Sequence, residues 1–286
     1  MEVAFLKKLL FLLIALVLAF WGLFWAVDQI NQEVLTNVER KPPIKIAIID
    51  SGIDAKAADV NVAKVLNQKM NQDLYGHGTS VTSIVKTTIK NAVKGKGINS
   101  DFLFYDGNIL DEKGRVKVDQ IINSIKWAIE QDVDIINMSF GIQKDVAELH
   151  QVIKEAWNQN IIIIAAAGNN LGMEADYPAR YPEVLSISSI NKSMKHDPMA
   201  AIGKIDYVAP SAEISAVQIG KMKDHERLSG TSFAAAHATG VVATLLNESK
   251  ISRTHYKQDL KRFVRPLGEK KIYGDGLLRI QQETSN

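Results

Sequence analysis

Residues 44–52 read Ile44-Lys45-Ile46-Ala47-Ile48-Ile49-Asp50-Ser51-Gly52, an apolar, largely β-branched run that ends in a carboxylate and a turn. A short apolar run bounded by turn residues is typical of a strand that is buried on both faces of a parallel sheet. In open α/β sheets, functional side chains follow the carboxyl ends of such strands. The stretch therefore predicts a parallel α/β fold with Asp50 at its functional site.

Three further stretches carry side chains that suit Asp50 as a partner. Gly76-His77-Gly78-Thr79 and Gly230-Thr231-Ser232 each open an apolar-periodic helical stretch, and Ala167-Gly168-Asn169 ends a second buried-strand run. Each stretch alone is also ordinary turn or capping chemistry. Together they place an acid, a base and a nucleophile in one of the chain orders known for serine-based catalytic triads.

The chemistry explains why these residue types are needed together. A serine hydroxyl holds its proton too tightly to attack an amide at neutral pH, so we expect His77 to take the proton from Ser232. Asp50 would orient the imidazole and stabilise its cation. The oxyanion needs donors, which the side-chain amide of Asn169 and the backbone N–H of Ser232 would supply. The set predicts a serine peptidase.

The sequence around these positions extends the pattern over most of the chain. The stretches are Ile135-Ile136-Asn137-Met138-Ser139-Phe140-Gly141, Ala165-Ala166-Ala167-Gly168-Asn169-Asn170, Tyr177-Pro178-Ala179-Arg180-Tyr181-Pro182 and Leu228-Ser229-Gly230-Thr231-Ser232-Phe233-Ala234-Ala235-Ala236-His237. From about residue 44 to residue 280 the chain resembles the subtilase family of serine peptidases (peptidase family S8). The resemblance implies a subtilisin-like fold in which Ser139, Phe140 and Gly141 bind the substrate and Asn169 contributes to the oxyanion hole.

The resemblance also bears on specificity and has departures. Asp176 stands at a position that lies at the base of the S1 pocket in relatives, where a carboxylate would favour a basic P1 residue; the alternative is a solvated loop residue beside Glu174. Family members usually have Met at position 233, Pro at position 236 and often His at position 80. Here these positions hold Phe233, Ala236 and Ser80. Phe233 and Ala236 are not expected to do chemistry, although they are expected to alter the pocket wall and the helix start.

The rest of the chain has the alternating pattern of an α/β domain, which we assign to residues 44–286. Apolar periodicity predicts helices over 118–131 and 145–159 and strands over 102–105, 133–138, 161–166, 184–190 and 205–209. These elements predict a mostly parallel sheet with helices on both faces. The basic stretch 257–271 is expected to be a solvated helix face.

The N-terminus has a different character. Residues 9–27 contain no charged side chain, and as a helix they would extend about 28 Å at 1.5 Å per residue, which is about one bilayer core. Lys7 and Lys8 precede the stretch and acidic residues follow it, so the charge rule places residues 1–8 in the cytoplasm and the catalytic domain outside the cell. We expect an uncleaved transmembrane signal-anchor, with a cleaved signal peptide as the alternative.

Residues 28–43 are expected to form a linker closed by Pro42-Pro43, which leaves no room for the sizeable propeptide that secreted subtilases generally carry. This favours a dedicated processing enzyme, of the kind that clips leader peptides from lantibiotics or other bacteriocins. A general-purpose secreted subtilase, released after signal cleavage, is the alternative.

Composition limits the chemistry and the partners that the chain can have. The chain has 286 residues, a formal net charge of +2 and no cysteine, so disulfides and thiol catalysis are excluded and no nucleic-acid partner is expected. No cofactor is expected. The stretch 88–94 is poor in oxygen ligands for calcium, although a weaker calcium site near Tyr177 to Val184 stays open.

Two other functions fit the sequence less well. A lipase or esterase would have Gly-x-Ser-x-Gly and the chain order serine, acid, histidine, whereas Ala234 occupies the last glycine position and the order differs. A peptide-binding pseudoprotease would be expected to lack one of the four functional residues. All four are present.

Overall fold

The computed structural model describes residues 16–27, 41–68, 72–94, 98–211, 216–224 and 229–281. The chain divides into two units, Met1–Pro42 and Pro43–Asn286. In the first unit, residues 16–27 form helix α1. Its large apolar side chains, Trp21 and Trp25 among them, are exposed.

The predicted membrane span is described only in part. Residues 16–27 are helical, whereas residues 1–8, 9–15 and 28–40 lie outside the described residues. Among the helices within the described ranges, none combines the length and the apolar character needed to cross a membrane.

The second unit is built on one nine-stranded sheet with the order β2-β3-β1-β4-β5-β6-β7-β9-β8. The strands are β1 (Ile44–Asp50), β2 (Val62–Val65), β3 (Phe102–Asn108), β4 (Ile135–Met138), β5 (Ile162–Ala166), β6 (Leu185–Ile190), β7 (Tyr207–Pro210), β8 (Val264–Arg265) and β9 (Leu277–Leu278). All neighbouring pairs are parallel except β8 with β9. The predicted α/β fold with a mostly parallel sheet is confirmed.

Helices cover both faces of this sheet. They are α2 (Ala55–Ala58), α3 (His77–Ala92), α4 (Ile98–Asp101), α5 (Val118–Glu130), α6 (Ala147–Asn158), α7 (Thr231–Asn247), α8 (Tyr256–Asp259) and α9 (Lys270–Tyr273). Helices α3 and α7 pack on one face, where their buried side chains join those of β1 and β5 in one apolar cluster. Helices α5 and α6 join the alternate residues of the same strands in a second cluster. Both faces of the central strands are therefore buried from solvent, as their continuous isoleucine runs require.

The predicted elements agree with the observed ones to within a few residues. The helix predicted over 118–131 is α5, which ends one residue earlier, and the helix predicted over 145–159 is α6, which begins two residues later and ends one residue earlier. The basic side chains of 257–271 are mostly exposed, as predicted, but the prediction of one helix there was wrong. That stretch contains α8, a 3₁₀ turn, β8 and the start of α9, and it buries Leu260 and Phe263 completely or almost so. Pro266 and Gly268 interrupt any helix there.

Three neighbouring strands deliver the site residues to one edge of the sheet. Asp50 is the last residue of β1, Ser139 directly follows β4, and Asn169 lies three residues beyond β5. Because β1, β4 and β5 are adjacent and parallel, their carboxyl ends meet at the same edge. Helix α7 begins at that edge with Thr231 and Ser232.

One carboxyl group in the sheet is not explained by packing. Asp106 in β3 is 3% exposed, and its Oδ2 accepts a hydrogen bond of 3.2 Å from the N–H of Ile53. Its Oδ1 has no hydrogen-bond partner among the described residues. Burial raises the pKa of Asp106 to about 7; the Ile53 hydrogen bond opposes the shift, and the charges of Asp73 and Asp50 add to it. The folded state therefore keeps a proton here that the unfolded chain would lose near pH 4.

The pH dependence of stability follows from this raised pKa. Proton binding by Asp106 stabilises the folded state fully below pH 4, and the contribution is lost as the pH rises through about 7. Asp106→Asn keeps an acceptor for Ile53 but cannot ionise. The difference in free energy of unfolding between the variant and wild type should therefore shift in favour of the variant by about 2 to 3 kcal/mol as the pH rises from 5 to 8. This range follows from about 1.4 kcal/mol per pKa unit.

Urea unfolding at both pH values measures this change. Glu112→Gln, which neutralises an exposed carboxylate, is the control and should show no such gain. A constant difference between Asp106→Asn and wild type across the pH range would contradict the prediction.

Candidate active site

Asp50 and His77 form the best-defined pair of the site. The Asp50 side chain is fully buried, and its two carboxylate oxygens lie 2.9 and 3.0 Å from Nδ1 of His77. The N–H of Ser51 also donates to the carboxylate, at 2.8 Å. Buried carboxylates need such partners because an unpaired charge away from water is costly. The imidazole is thus held by one nitrogen, which leaves Nε2 for chemistry.

The environment of His77 determines its charge. Its side chain is 14% exposed, and burial, the largest single influence, lowers the pKa of the imidazole. The charge and hydrogen bond of Asp50, together with the charge of Asp73, outweigh burial and raise the pKa above its ordinary value. The rings of Tyr75 and Phe233 lie 6.1 and 5.6 Å from the imidazole, centroid to centroid. The site thus stabilises the imidazolium that forms when His77, acting as a general base, accepts a proton.

Ser232 lies in the first turn of α7 and is tied to the segment after β4. Its hydroxyl donates a 2.6 Å hydrogen bond to the backbone oxygen of Ser139. The hydroxyl of Ser139 in turn lies 2.9 Å from the backbone oxygen of Ser232. The two serines therefore lock the start of α7 against the end of β4. The serine hydroxyl points to Ser139 in this structure rather than to His77.

Asn169 is fixed by the residue that precedes Ser232. The side-chain oxygen of Asn169 accepts hydrogen bonds from the N–H and the hydroxyl of Thr231, at 3.0 and 3.2 Å. The Thr231 hydroxyl also accepts from the N–H of Gly168, at 3.1 Å. Because the amide oxygen is occupied in this way, the Asn169 NH₂ group is oriented away from Thr231. The exposed Asn169 amide lies against Gly230, where a Cβ atom would be 2.9 Å from its nitrogen.

Asp176 lies between the segments that follow β4 and β5. Its N–H donates to the backbone oxygen of Ala167 at 2.8 Å, and Tyr177 pairs with Ile142 through two backbone hydrogen bonds. A Cβ atom built on Gly141 would lie 2.6 Å from the Cβ of Asp176. One built on Gly168 (φ +110°) would lie 2.3 Å from the Asp176 carboxylate. Only glycine fits at these two positions, and the Asp176 side chain occupies the space that the two missing side chains leave.

The carboxylate of Asp176 is half-buried. Burial raises its pKa, while a 3.4 Å hydrogen bond from Asn170 and the positive charge of Arg180 act in the opposite direction. The Arg180 guanidinium itself is engaged by the backbone oxygen of Ala175 and lies over the ring of Tyr177. Asp176 thus accepts a hydrogen bond from a neutral side chain, and Arg180 acts on it by charge alone.

Four residues of the site have roles that were not predicted from the sequence. They are Ser51, Asp73, Thr79 and Thr231, which hold the Asp50 turn, the start of α3 and Asn169. A signal existed for one of them, because an Asp shortly before a helix start is a capping pattern. The others act through hydroxyl groups whose partners are distant in sequence.

The described residues contain no cluster of three or more His, Asp or Glu side chains arranged to hold a metal ion. The stretch Tyr177 to Val184, considered above for calcium, uses its side chains in protein contacts. Tyr181 donates to Asp145 at 2.8 Å and stacks on His150 at 4.0 Å, and Glu183 pairs with His150.

Comparison with known proteins places this site in a family. The family model described as "Subtilase family" matches residues 42–274. Subtilisin amylosacchariticus from Bacillus subtilis subsp. amylosacchariticus is 30% identical over 249 residues, which cover 83% of this chain and 65% of that protein. The intracellular serine protease of Paenibacillus polymyxa is 33% identical over 281 residues, which cover 89% of this chain and 84% of that protein. The chain thus spans just under two thirds of the first of these relatives.

Two solved structures share the fold. One is titled "Structure of Prenylagaramide maturation protease PagA", with a TM-score of 0.68 and 21% identity, covering 87% of this chain and 95% of that chain. The other is titled "Crystal Structure of a Lanthipeptide Protease", with a TM-score of 0.67 and 22% identity, covering 83% and 85%. The resemblance inferred from the sequence is confirmed: the chain belongs to the subtilase family of serine peptidases.

Proposed function

We propose that the chain is a serine endopeptidase that cleaves peptide bonds through an acyl-enzyme. Ser232 is the nucleophile, His77 the general base and Asp50 the carboxylate that orients it. The observation that carries the proposal is the buried Asp50 carboxylate with both oxygens within 3.0 Å of Nδ1 of His77. A charge buried at this cost serves an imidazole that must itself become charged.

Substrate binding supplies the step that turns Ser232 toward His77. In the free enzyme the Ser232 hydroxyl occupies the backbone oxygen of Ser139. An extended peptide beside Ser139, Phe140 and Gly141 would add a strand there and offer its own N–H groups to such carbonyls. The displaced hydroxyl then rotates to Nε2 of His77, which takes its proton as the oxygen attacks the scissile carbonyl.

The oxyanion formed by that attack meets two donors. Asn169 presents its NH₂ group because Thr231 holds the amide oxygen. The N–H of Ser232 lies in the first turn of α7, where backbone N–H groups have no partner within the helix. Fixed donors of this kind stabilise the developing charge without reorganisation. His77 then returns its proton to the leaving amine, and water repeats the sequence in reverse on the acyl-enzyme.

The substrate we propose is a leader peptide or a comparable exported precursor, cut after a basic residue. Support for basic specificity comes from Asp176, whose half-buried side chain lies against Gly141 and Gly168. If Asp176 were absent, the charged end of a P1 Lys or Arg side chain bound there would be desolvated without a negative partner. Two neighbours in fold carry maturation and lanthipeptide protease titles, which accords with a dedicated processing role.

We further propose that residues 9–27 anchor the enzyme in the cell membrane with the catalytic unit outside. The support is the uncharged length of this stretch and the lysines that precede it. The enzyme would then cleave peptides at the outer face of the cell membrane.

Removing either proton-transfer partner should abolish activity. We expect Ser232→Ala and His77→Ala to reduce kcat by about 10⁶-fold and Asn169→Ala by about 10² to 10³-fold. These magnitudes are those of the corresponding groups in subtilisin and are carried over by family membership. Single-turnover peptide cleavage measures them. A fluorophosphonate probe should label wild type but not Ser232→Ala; absent labelling of folded wild type would indicate a peptide-binding pseudoprotease instead.

Asp176 should determine the preference at P1. Asp176→Ser is expected to lower kcat/KM for Arg and Lys at P1 by about 10 to 10²-fold and to spare Phe and Leu, because only the cationic heads lose a charged partner. A P1-varied peptide library gives both profiles. Glu174→Gln, which neutralises a nearby exposed carboxylate, should leave the profile unchanged. An identical profile for Asp176→Ser and wild type would show that the carboxylate faces solvent.

Membrane topology is testable on intact cells. A tag at the C-terminus should fractionate with membranes and be removed by added protease, because residues 9–27 hold the catalytic unit outside. Leu18→Arg, which puts a charge in the middle of the apolar stretch, should weaken membrane retention. Recovery of the tagged protein in the medium would favour cleavage of a signal peptide, and a protected tag would contradict the orientation.

A further inference from the structure

Asp73 is a buried carboxylate that the proposed mechanism does not use. It is 5% exposed and lies four residues before His77. Its carboxylate accepts hydrogen bonds from the N–H of Gly76 at 2.7 Å and from the N–H and hydroxyl of Thr79 at 2.9 and 2.7 Å. These N–H groups belong to the start of α3, where a helix leaves its donors without internal partners. Asp73 therefore caps the helix whose first residue is His77.

Thr79 connects this cap to the turn that carries Asp50. Its hydroxyl donates to Asp73 and accepts the N–H of Asp54 at 2.9 Å. A second bond between the same two segments runs from the N–H of Gly78 to the Ser51 hydroxyl at 2.9 Å. The helix start and the turn are thus joined by two hydrogen bonds.

The contact between the two segments leaves almost no space. A Cβ atom on Gly78 would lie 2.3 Å from the backbone oxygen of Gly52 and 3.1 Å from the Cβ of Asp50. One on Gly52 would lie 3.4 Å from the Cβ of Asp73. Helix start, turn and cap therefore pack as one unit, in which a shift of the cap would move the imidazole relative to Asp50.

Asp73 also acts on His77 by charge. The groups that face the imidazole are Asp50 at the end of β1, Asp73 and Tyr75 before α3, and Phe233 in α7. Asp50 and Asp73 are the two that raise the pKa of the imidazole against the effect of burial. Loss of the Asp73 charge should lower that pKa, whereas a purely structural cap would leave it unchanged once the fold is intact.

We propose that Asp73 is a positioning residue for His77: through Gly76 and Thr79 it holds the start of α3 against the turn that carries Asp50. This inference rests on the proposed function insofar as His77 is the general base. It assigns no contact with substrate to Asp73. Asp73 affects catalysis in two ways: it sets the position of the imidazole relative to Asp50, and its own charge acts on the imidazole.

The test compares Asp73→Asn, Thr79→Val and Thr79→Ser in the full chain. Asn puts an NH₂ group where the carboxylate accepts, and Val removes the bridging hydroxyl without changing the size of the side chain. Both should reduce kcat by about 10 to 10²-fold with little change in KM, as small misplacements of catalytic groups do. Thr79→Ser keeps the hydroxyl and should restore kcat to within about twofold of wild type.

Titration of His77 gives a readout that does not depend on peptidase activity. In NMR of labelled histidine, Asp73→Asn should lower the pKa of His77 by about half a unit or more and move the acid limb of kcat/KM to lower pH by the same amount. Glu112→Gln is the control for charge and should move neither. If the chain proves to have no peptidase activity, the proposed function fails, and the His77 titration still decides the role of Asp73.

Unchanged kcat in Thr79→Val and Asp73→Asn, together with an unshifted His77 titration, would overturn the proposal. Thermal unfolding of each variant shows whether it folds. If Asp73→Asn does not fold, the Thr79 pair decides: equal kcat in Thr79→Val and wild type overturns the proposal, and a loss in Val that Ser restores supports it.

Discussion

A fully buried carboxylate at the end of a strand organises the catalytic half of this molecule. Asp50 has no access to water, so its charge has to be balanced by the protein. The compensation comes from the N–H of Ser51 and from the imidazole of His77. The imidazole can reach Asp50 only if the start of α3 lies against the turn after β1, and there a side chain on Gly78 would collide with the backbone oxygen of Gly52. The position of α3 is therefore tied to the compensation of the buried Asp50 charge.

The nucleophile is placed by a separate arrangement of neutral groups. Ser139 and Ser232 exchange hydrogen bonds between β4 and α7, and Asn137 in β4 donates to Thr239 further along the helix at 2.9 Å. Thr231 extends the arrangement to Asn169 after β5. Helix α7 is otherwise held by small apolar residues against the sheet. None of these bonds involves a charged group, so the position of α7 is set mainly by packing and by hydroxyl geometry.

The two arrangements differ in how far the sequence predicts them. The run of Ile44 to Asp50 predicts a buried strand and the location of its acid because burial and strand ends leave a local pattern. The tail was mispredicted as a helix, since its charge pattern conceals Leu260 and Phe263, which are buried by contacts distant in sequence. The bonds of Thr79 with Asp54 and of Thr231 with Asn169 leave no local pattern at all. A hydroxyl that links two segments can be recognised only once both segments are placed.

The aromatic ring beside the nucleophile has a consequence for chemical durability. The residue after Ser232 is Phe233, buried and packed against the imidazole, at a position where the subtilase resemblance leads one to expect methionine. Oxidation converts a methionine thioether into a polar, chiral sulfoxide, which would place a new dipole next to the attacking oxygen. A phenyl ring has no sulfur to oxidise, and the chain has no cysteine. The immediate neighbour of the nucleophile is therefore inert toward peroxide.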